Sequence, residues 1–132
     1  MKWITAYLAA GVVFGALDFL WLRFAGPNLY RPVLGEVLAP QFRAIPALVF
    51  YALYIAGMVW FAVRPGLEGG VHLAVFNGAL LGGLAYATYD LTNQATLKVW
   101  STQITLIDIA WGAVASALAS GAAAWLTIRI SA

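Results

Sequence analysis

TQITLIDIAWGAVASALASGAAAWLTI, residues 102–128, decides the fold. A single charge, Asp108, interrupts a run long enough to cross a bilayer, where about 20 mostly apolar residues at about 1.5 Å each span a hydrocarbon core of about 30 Å. Gly112, Ala113, Ser116, Ala117, Ser120 and Gly121 line this segment. Helices in lipid pack through such small residues, because hydrocarbon gives apolar side chains no reason to cluster.

The rest of the chain reads the same way. Of 132 residues, 64% are hydrophobic and 9% are charged, whereas a soluble domain carries charge on about a quarter of its residues. The surplus apolar surface needs lipid to face. Three more spans are expected: 3–24, with Asp18 inside it; 44–63, with no charge; and 71–90, closed by Asp90. With 102–128 they predict an all-α fold, a four-helix transmembrane bundle forming one domain over residues 1–132. The amino-terminal run is too long for the apolar core of a signal peptide, so a retained first helix is expected.

The connectors set the neighbours. Gly26, Pro27 and Asn28 are expected to stop the first helix. Leu29 to Arg43 contains Arg31, Pro32, Glu36 and Pro40 and cannot span. Leu29, Val33 and Val37 recur at helical spacing there, so a short amphipathic segment lying in the interface is expected, limited by its prolines. Arg64 to Gly70 reads as a tight polar turn, and Leu91 to Ser101 as a polar connector. Short connections imply antiparallel neighbours. Gly11 with Gly15, and Gly78 with Gly82, form small-xxx-small pairs that signal close packing.

Charge excludes some functions. The net charge is +2 and the seven basic residues are scattered at segment ends, so no nucleic-acid face is built. Alternating spans put Lys2, Arg64 and Arg129 on one side and Arg23, Arg31, Arg43 and Lys98 on the other, too even to orient the chain. There is no Cys, one His (His72, at the start of the third span) and no motif of a zinc, haem, nucleotide or serine-hydrolase site. No cofactor and no metal are implied.

The acidic residues are less scattered. Asp18, Asp90 and Asp108 all fall toward the same membrane face under alternating topology. The first span reads Asp18-Phe19-Leu20-Trp21 and the fourth Asp108-Ile109-Ala110-Trp111. Both are Asp-x-x-Trp, which sets carboxylate and indole on one helical face. Asp18 and Asp108 lie roughly 10 Å inside their helix ends at about 1.5 Å per residue. A carboxylate in mid-membrane costs about 2.5–3.5 kcal/mol on insertion scales, so such groups face the bundle interior and are paired, protonated or functional. Asp90 reads either as a member of this group or as a helix-end residue beside Lys98. The expected result is a polar cup opening to one leaflet. Asp18, Asp90, Asp108 and Asn93 would form its floor, and Trp21, Tyr51, Tyr86 and Trp111 its walls. The three carboxylates are the catalytic candidates if the cup is an active site. Trp60, Trp100 and Trp125 read as interfacial belt residues, and Asn77 as an interhelical hydrogen-bonding group.

Tyr89-Asp90-Leu91-Thr92-Asn93-Gln94-Ala95-Thr96-Leu97-Lys98, with Asp108-Ile109-Ala110-Trp111-Gly112 and Leu17-Asp18-Phe19-Leu20-Trp21-Leu22, resembles a small bacterial membrane family catalogued as domain of unknown function 2177. The resemblance covers nearly the whole chain. It implies a four-helix protein of the bacterial inner membrane and no particular activity.

The cup favours binding of a small apolar or amphipathic molecule, lipid- or isoprenoid-like. Three alternatives compete: a membrane-embedded acid/base enzyme such as an isomerase, a small proton-coupled transporter, and an accessory subunit of a larger membrane complex. The expected partners are the bilayer and a lipid-like ligand, with a homo-oligomer or a membrane-protein partner left open.

Overall fold

The computed structural model describes residues 1–38 and 43–131. Those residues form six α-helices and two π turns: α1 (Lys2–Ala25), a π turn (Gly26–Tyr30), α2 (Arg31–Leu34), α3 (Ala44–Met58), a π turn (Val59–Val63), α4 (Arg64–Gly69), α5 (Val71–Thr96) and α6 (Thr102–Ser131). Across the π turns the backbone stays helical, so the elements join into four rods: Lys2–Leu34, Ala44–Gly69, Val71–Thr96 and Thr102–Ser131. Each is long and apolar enough to cross a membrane. The chain is an all-helical, multi-pass membrane protein, and no strand occurs among the described residues.

Three connectors differ from expectation, for one reason. Gly26, Pro27 and Asn28 do not stop the first helix; it widens into a π turn and continues to Leu34. The expected interfacial segment is therefore, in its first part, an extension of the first rod. Its limit at Pro40 lies outside the described residues. Likewise Arg64-Pro65-Gly66-Leu67-Glu68-Gly69 is helical, and the reversal falls on Gly70 alone, at φ 119°. The third helix runs past Asp90 to Thr96. In lipid a broken helix exposes backbone groups that nothing else can satisfy, so a proline is absorbed rather than obeyed. A π turn does this by reaching five residues back, as the Arg31 amide does to the Gly26 carbonyl. Pro65 has no N–H for the Phe61 carbonyl four residues before it. Asn77 supplies one from α5, its Nδ2 donating to Phe61 O at 3.1 Å. The interhelical role expected of Asn77 thus has a specific object.

The fourth rod is the hub. α6 packs against both α1 and α5 and meets α4 near its end, so its buried positions, including Ile104, Asp108, Gly112, Ala115, Ser116, Ala119 and Ala123, lie on every side. The approach to α5 is close. A Cβ on Gly78 would lie 2.6 Å from the Ser116 carbonyl oxygen, and one on Gly82 would meet the Gly112 carbonyl. The pair Gly11 and Gly15 does not do this. Gly11 would only touch Ile55, at 3.4 Å, and nothing lies within 4 Å of a Cβ on Gly15. Outward-facing Leu8, Val12, Leu20, Leu53, Leu84 and Leu106 stay exposed, an apolar coat suited to lipid.

The basic residues mark the ends. Lys2 lies over Trp3, Arg64 over Trp60 and Arg129 over Trp125, at 5.0, 4.0 and 4.8 Å from the ring centroids. Lys2, Leu67 and Thr127 line one shallow pocket, so the start of the first rod and the ends of the second and fourth share a face. Arg23 lies over Phe19 toward the other end, at 5.9 Å.

Candidate functional site

At that other end the two Asp-x-x-Trp turns meet. Asp18 and Asp108 are both buried, 8% and 5% exposed. Asp18 projects from α1 toward α3 and α6. Tyr51 donates its hydroxyl to Asp18 Oδ2, and Trp111 Nε1 donates to Oδ1 at 3.4 Å. The indoles of Trp21 and Trp111 stack, centroids 4.7 Å apart and planes within 11°. Trp21 Nε1 donates to the Tyr30 hydroxyl at 3.0 Å, and Tyr30 donates to Asp108 Oδ1. Each motif's tryptophan therefore serves the other motif's carboxylate, directly in one direction and through Tyr30 in the other.

Tyr30 was absent from the expected site, and the reason is geometric. The inward stripe of the first helix runs Ala6, Ala10, Phe14, Asp18, with Trp21 beside it, then Ala25. A plain α-helix would carry it to residue 29. The π turn inserts one residue, so the stripe resumes at Tyr30 and Leu34. The sequence signal was Gly26-Pro27 inside a helix that lipid obliges to continue.

These side chains enclose a cleft of about 390 Å³, within the range of small-molecule sites. Asp18, Asp108, Tyr30, Trp21 and Trp111 line it together with Tyr86, Tyr89, Trp100, Leu22, Leu34 and Leu38. Tyr86 and Tyr89 also line a second, apolar cleft of about 280 Å³ with Phe50 and Ala85, between α3 and α5. α5 packs against the second rod along the π turn at Val59–Val63 and along α4, and makes little contact with α3, where this second cleft lies.

The remaining expected residues take several places. Tyr51 stands behind Asp18 as its donor. Asp90 is fully buried, so it is no solvated helix-end residue. It follows Gly78, Gly82 and Tyr86 on the α5 face that meets α6, and Gln94, one turn on, accepts from Thr105 Oγ1 at 2.8 Å. Among the described residues neither carboxylate oxygen of Asp90 has a hydrogen-bond partner, and Asp90 does not line the cleft. Asn93 is half-buried and also outside the lining. Trp100, expected in the interfacial belt, instead lines the cleft and donates Nε1 to Thr105 Oγ1 at 2.9 Å. Trp60 and Trp125 are exposed beneath their arginines, and His72 is exposed at the far end of the bundle.

A family model described as "Predicted membrane protein (DUF2177)" matches residues 3–125. The chain belongs to the DUF2177 family. No curated protein and no solved structure matches it. The matched region of this DUF2177 protein includes both Asp-x-x-Trp turns, Tyr30 and every residue that lines the cleft.

Proposed function

We propose that this DUF2177 protein binds a small amphipathic, lipid-like molecule, its polar head on Asp18 and Asp108 and its apolar body against the aromatic walls. The observation that carries the reading is the cleft of about 390 Å³, whose polar floor is two hydroxyl-bound carboxylates and whose walls are tyrosine, tryptophan and leucine. Sites for small molecules combine a mostly apolar lining with a few fixed polar groups in this way. The second cleft, at Phe50 and Ala85, abuts the first at Tyr86 and Tyr89 and gives an apolar chain room beside it. The proposed setting is a bacterial inner membrane, resting on the resemblance carried by residues 89–98 and 108–112.

Native mass spectrometry of protein gently extracted from its own membrane tests this reading. A discrete adduct of lipid-like mass is expected, lost when the cleft is filled by Leu22→Trp, a substitution at an exposed position beside the floor. An adduct that survives that substitution, or its absence at every collision energy, refutes the binding reading. A second reading, proton-coupled exchange, is favoured by Asp90 alone: a fully buried carboxyl with no partner among the described residues is the kind of intramembrane group that carries protons.

A further inference from the structure

The charges around the cleft do not balance. Asp18 and Asp108 accept hydrogen bonds from Tyr51, Trp111 and Tyr30, all neutral donors. The chain has seven cations, all described, and none reaches the cleft. Lys2, Arg23, Arg64 and Arg129 lie over aromatic rings at the helix ends, and Arg31, Arg43 and Lys98 are exposed. Asp108 lines the cleft at 5% exposure, and among the described residues its Oδ2 has no partner. A buried carboxylate without a counter-charge is costly. Either a proton or a cation from outside the chain relieves that cost, and the open cleft beside Asp108 leaves room for the cation.

We propose that the ligand's head is an ammonium group carried on an apolar chain. This rests on the amphipath-binding reading above and adds the sign and type of the head. An ammonium donates several hydrogen bonds and neutralises charge at once, so it suits the free Asp108 oxygen and the neighbouring Asp18. The stacked indoles of Trp21 and Trp111 line the same cleft, and indole is the best aromatic partner for a cation. A bare hard cation fits less well, because calcium or magnesium needs six or more oxygen ligands and the other walls here are aromatic or aliphatic. An alcohol head would hydrogen-bond but leave the charge, and an anionic head would add to it.

The test uses the unmodified full chain in dodecyl maltoside micelles. A chain-brominated dodecylamine quenches tryptophan in the cleft, and dodecylammonium, dodecanol and dodecyl sulfate compete for its place. Dodecylammonium is expected to displace the quencher at a mole fraction at least tenfold lower than dodecanol, and dodecyl sulfate not at all. Asp18→Asn and Asp108→Asn, nearly isosteric, are each expected to weaken the ammonium at least tenfold and to leave dodecanol unchanged. Short-chain phosphatidylethanolamine is a fourth competitor. Displacement equal to that by dodecylammonium assigns the amine to a membrane lipid, and no displacement assigns it to a phosphate-free amphiphile. Equal displacement by dodecylammonium and dodecanol overturns the ammonium head while an amphipath site stands. Saturable displacement by none of the competitors removes the binding reading itself. The wild-type competition decides even if an Asn variant fails to fold.

Discussion

Tyr30→Phe removes one oxygen and two hydrogen bonds. The lost hydroxyl accepts from Trp21 Nε1 and donates to Asp108, and it ties the extension beyond Gly26 to the bundle. Among the described residues of that extension, Leu34 is the other deep anchor, 4% exposed. A hydrogen bond to a charged group is worth about 1.5–3 kcal/mol. The loss is partly recovered, because Asp108 lies on the polar floor of a cleft roomy enough for water. A net cost of about 1.4 kcal/mol corresponds to a tenfold larger population of the opened extension. The chain has no cysteine, so Leu34→Cys reports that population through its maleimide-labelling rate. In the Leu34→Cys background, Tyr30→Phe should speed labelling about tenfold, because local opening and reactivity share one equilibrium. Tyr7→Phe removes a hydroxyl that donates to the Ala52 carbonyl at 3.1 Å elsewhere in the bundle, and should leave the rate unchanged. A Tyr30→Phe rate within about twofold of the parent, well under the tenfold that 1.4 kcal/mol demands, would show that Tyr30 does not hold the extension closed.

Other outcomes follow from the packing. Asn77→Leu should cost about 0.6–1.7 kcal/mol in mixed-micelle unfolding, the range of interhelical hydrogen bonds in membranes; the cost should shrink in a Pro65→Ala background, where residue 65 regains an N–H for Phe61, and an equal cost in both backgrounds would break the link. Gly82→Ala should destabilise by about 1–3 kcal/mol as the added methyl forces α5 from α6. Gly15→Ala, with nothing within 4 Å, should be neutral or stabilising by up to about 1 kcal/mol, and the same unfolding assay separates the two. Gly70→Ala places a side chain at φ 119° and should cost about 1–3 kcal/mol, read as a lower thermal midpoint in detergent.

The four spans were legible because each is a single long apolar run, and the bilayer sets their length. The pairing of Asp18 with Asp108 was legible too, through alternation of direction and the repeated Asp-x-x-Trp. Three things were not. Tyr30 was hidden because Gly26-Pro27 was read by the rules of water, where it ends a helix; in lipid the helix persists and shifts register. Asp90 was the expected last residue of its span, so only the continuation of α5 to Thr96 reveals that it faces α6 and is fully buried. Gly11 and Gly15 carry the same spacing as Gly78 and Gly82, and spacing alone does not say which face of a helix meets a neighbour. The seam of α5 is fixed instead by Ser116, Ser120 and Gly112 on its partner.

The reciprocal arrangement explains why both tryptophans turn inward to line the cleft and do not sit in the interfacial belt. An Asp-x-x-Trp turn puts a carboxylate and an indole on one face of its helix, yet neither indole here bonds its own motif's carboxylate. The opposite directions of the two helices let each reach across. α1 and α6 run antiparallel, so the residue after Asp18 by one turn approaches the turn after Asp108, where the indoles stack and Trp111 reaches Asp18. The mirror contact from Trp21 to Asp108 is completed by Tyr30, at the cost of a π turn. That asymmetry leaves one carboxylate better covered than the other: Asp18 has partners on both oxygens, whereas Asp108 keeps Oδ2 toward the cleft. A ligand head in the cleft would find its free acceptor on Asp108, because both oxygens of Asp18 are already engaged. Substitution at Asp108 should therefore weaken binding more than substitution at Asp18, and loss of Asp18 should fall more heavily on the stability of the bundle.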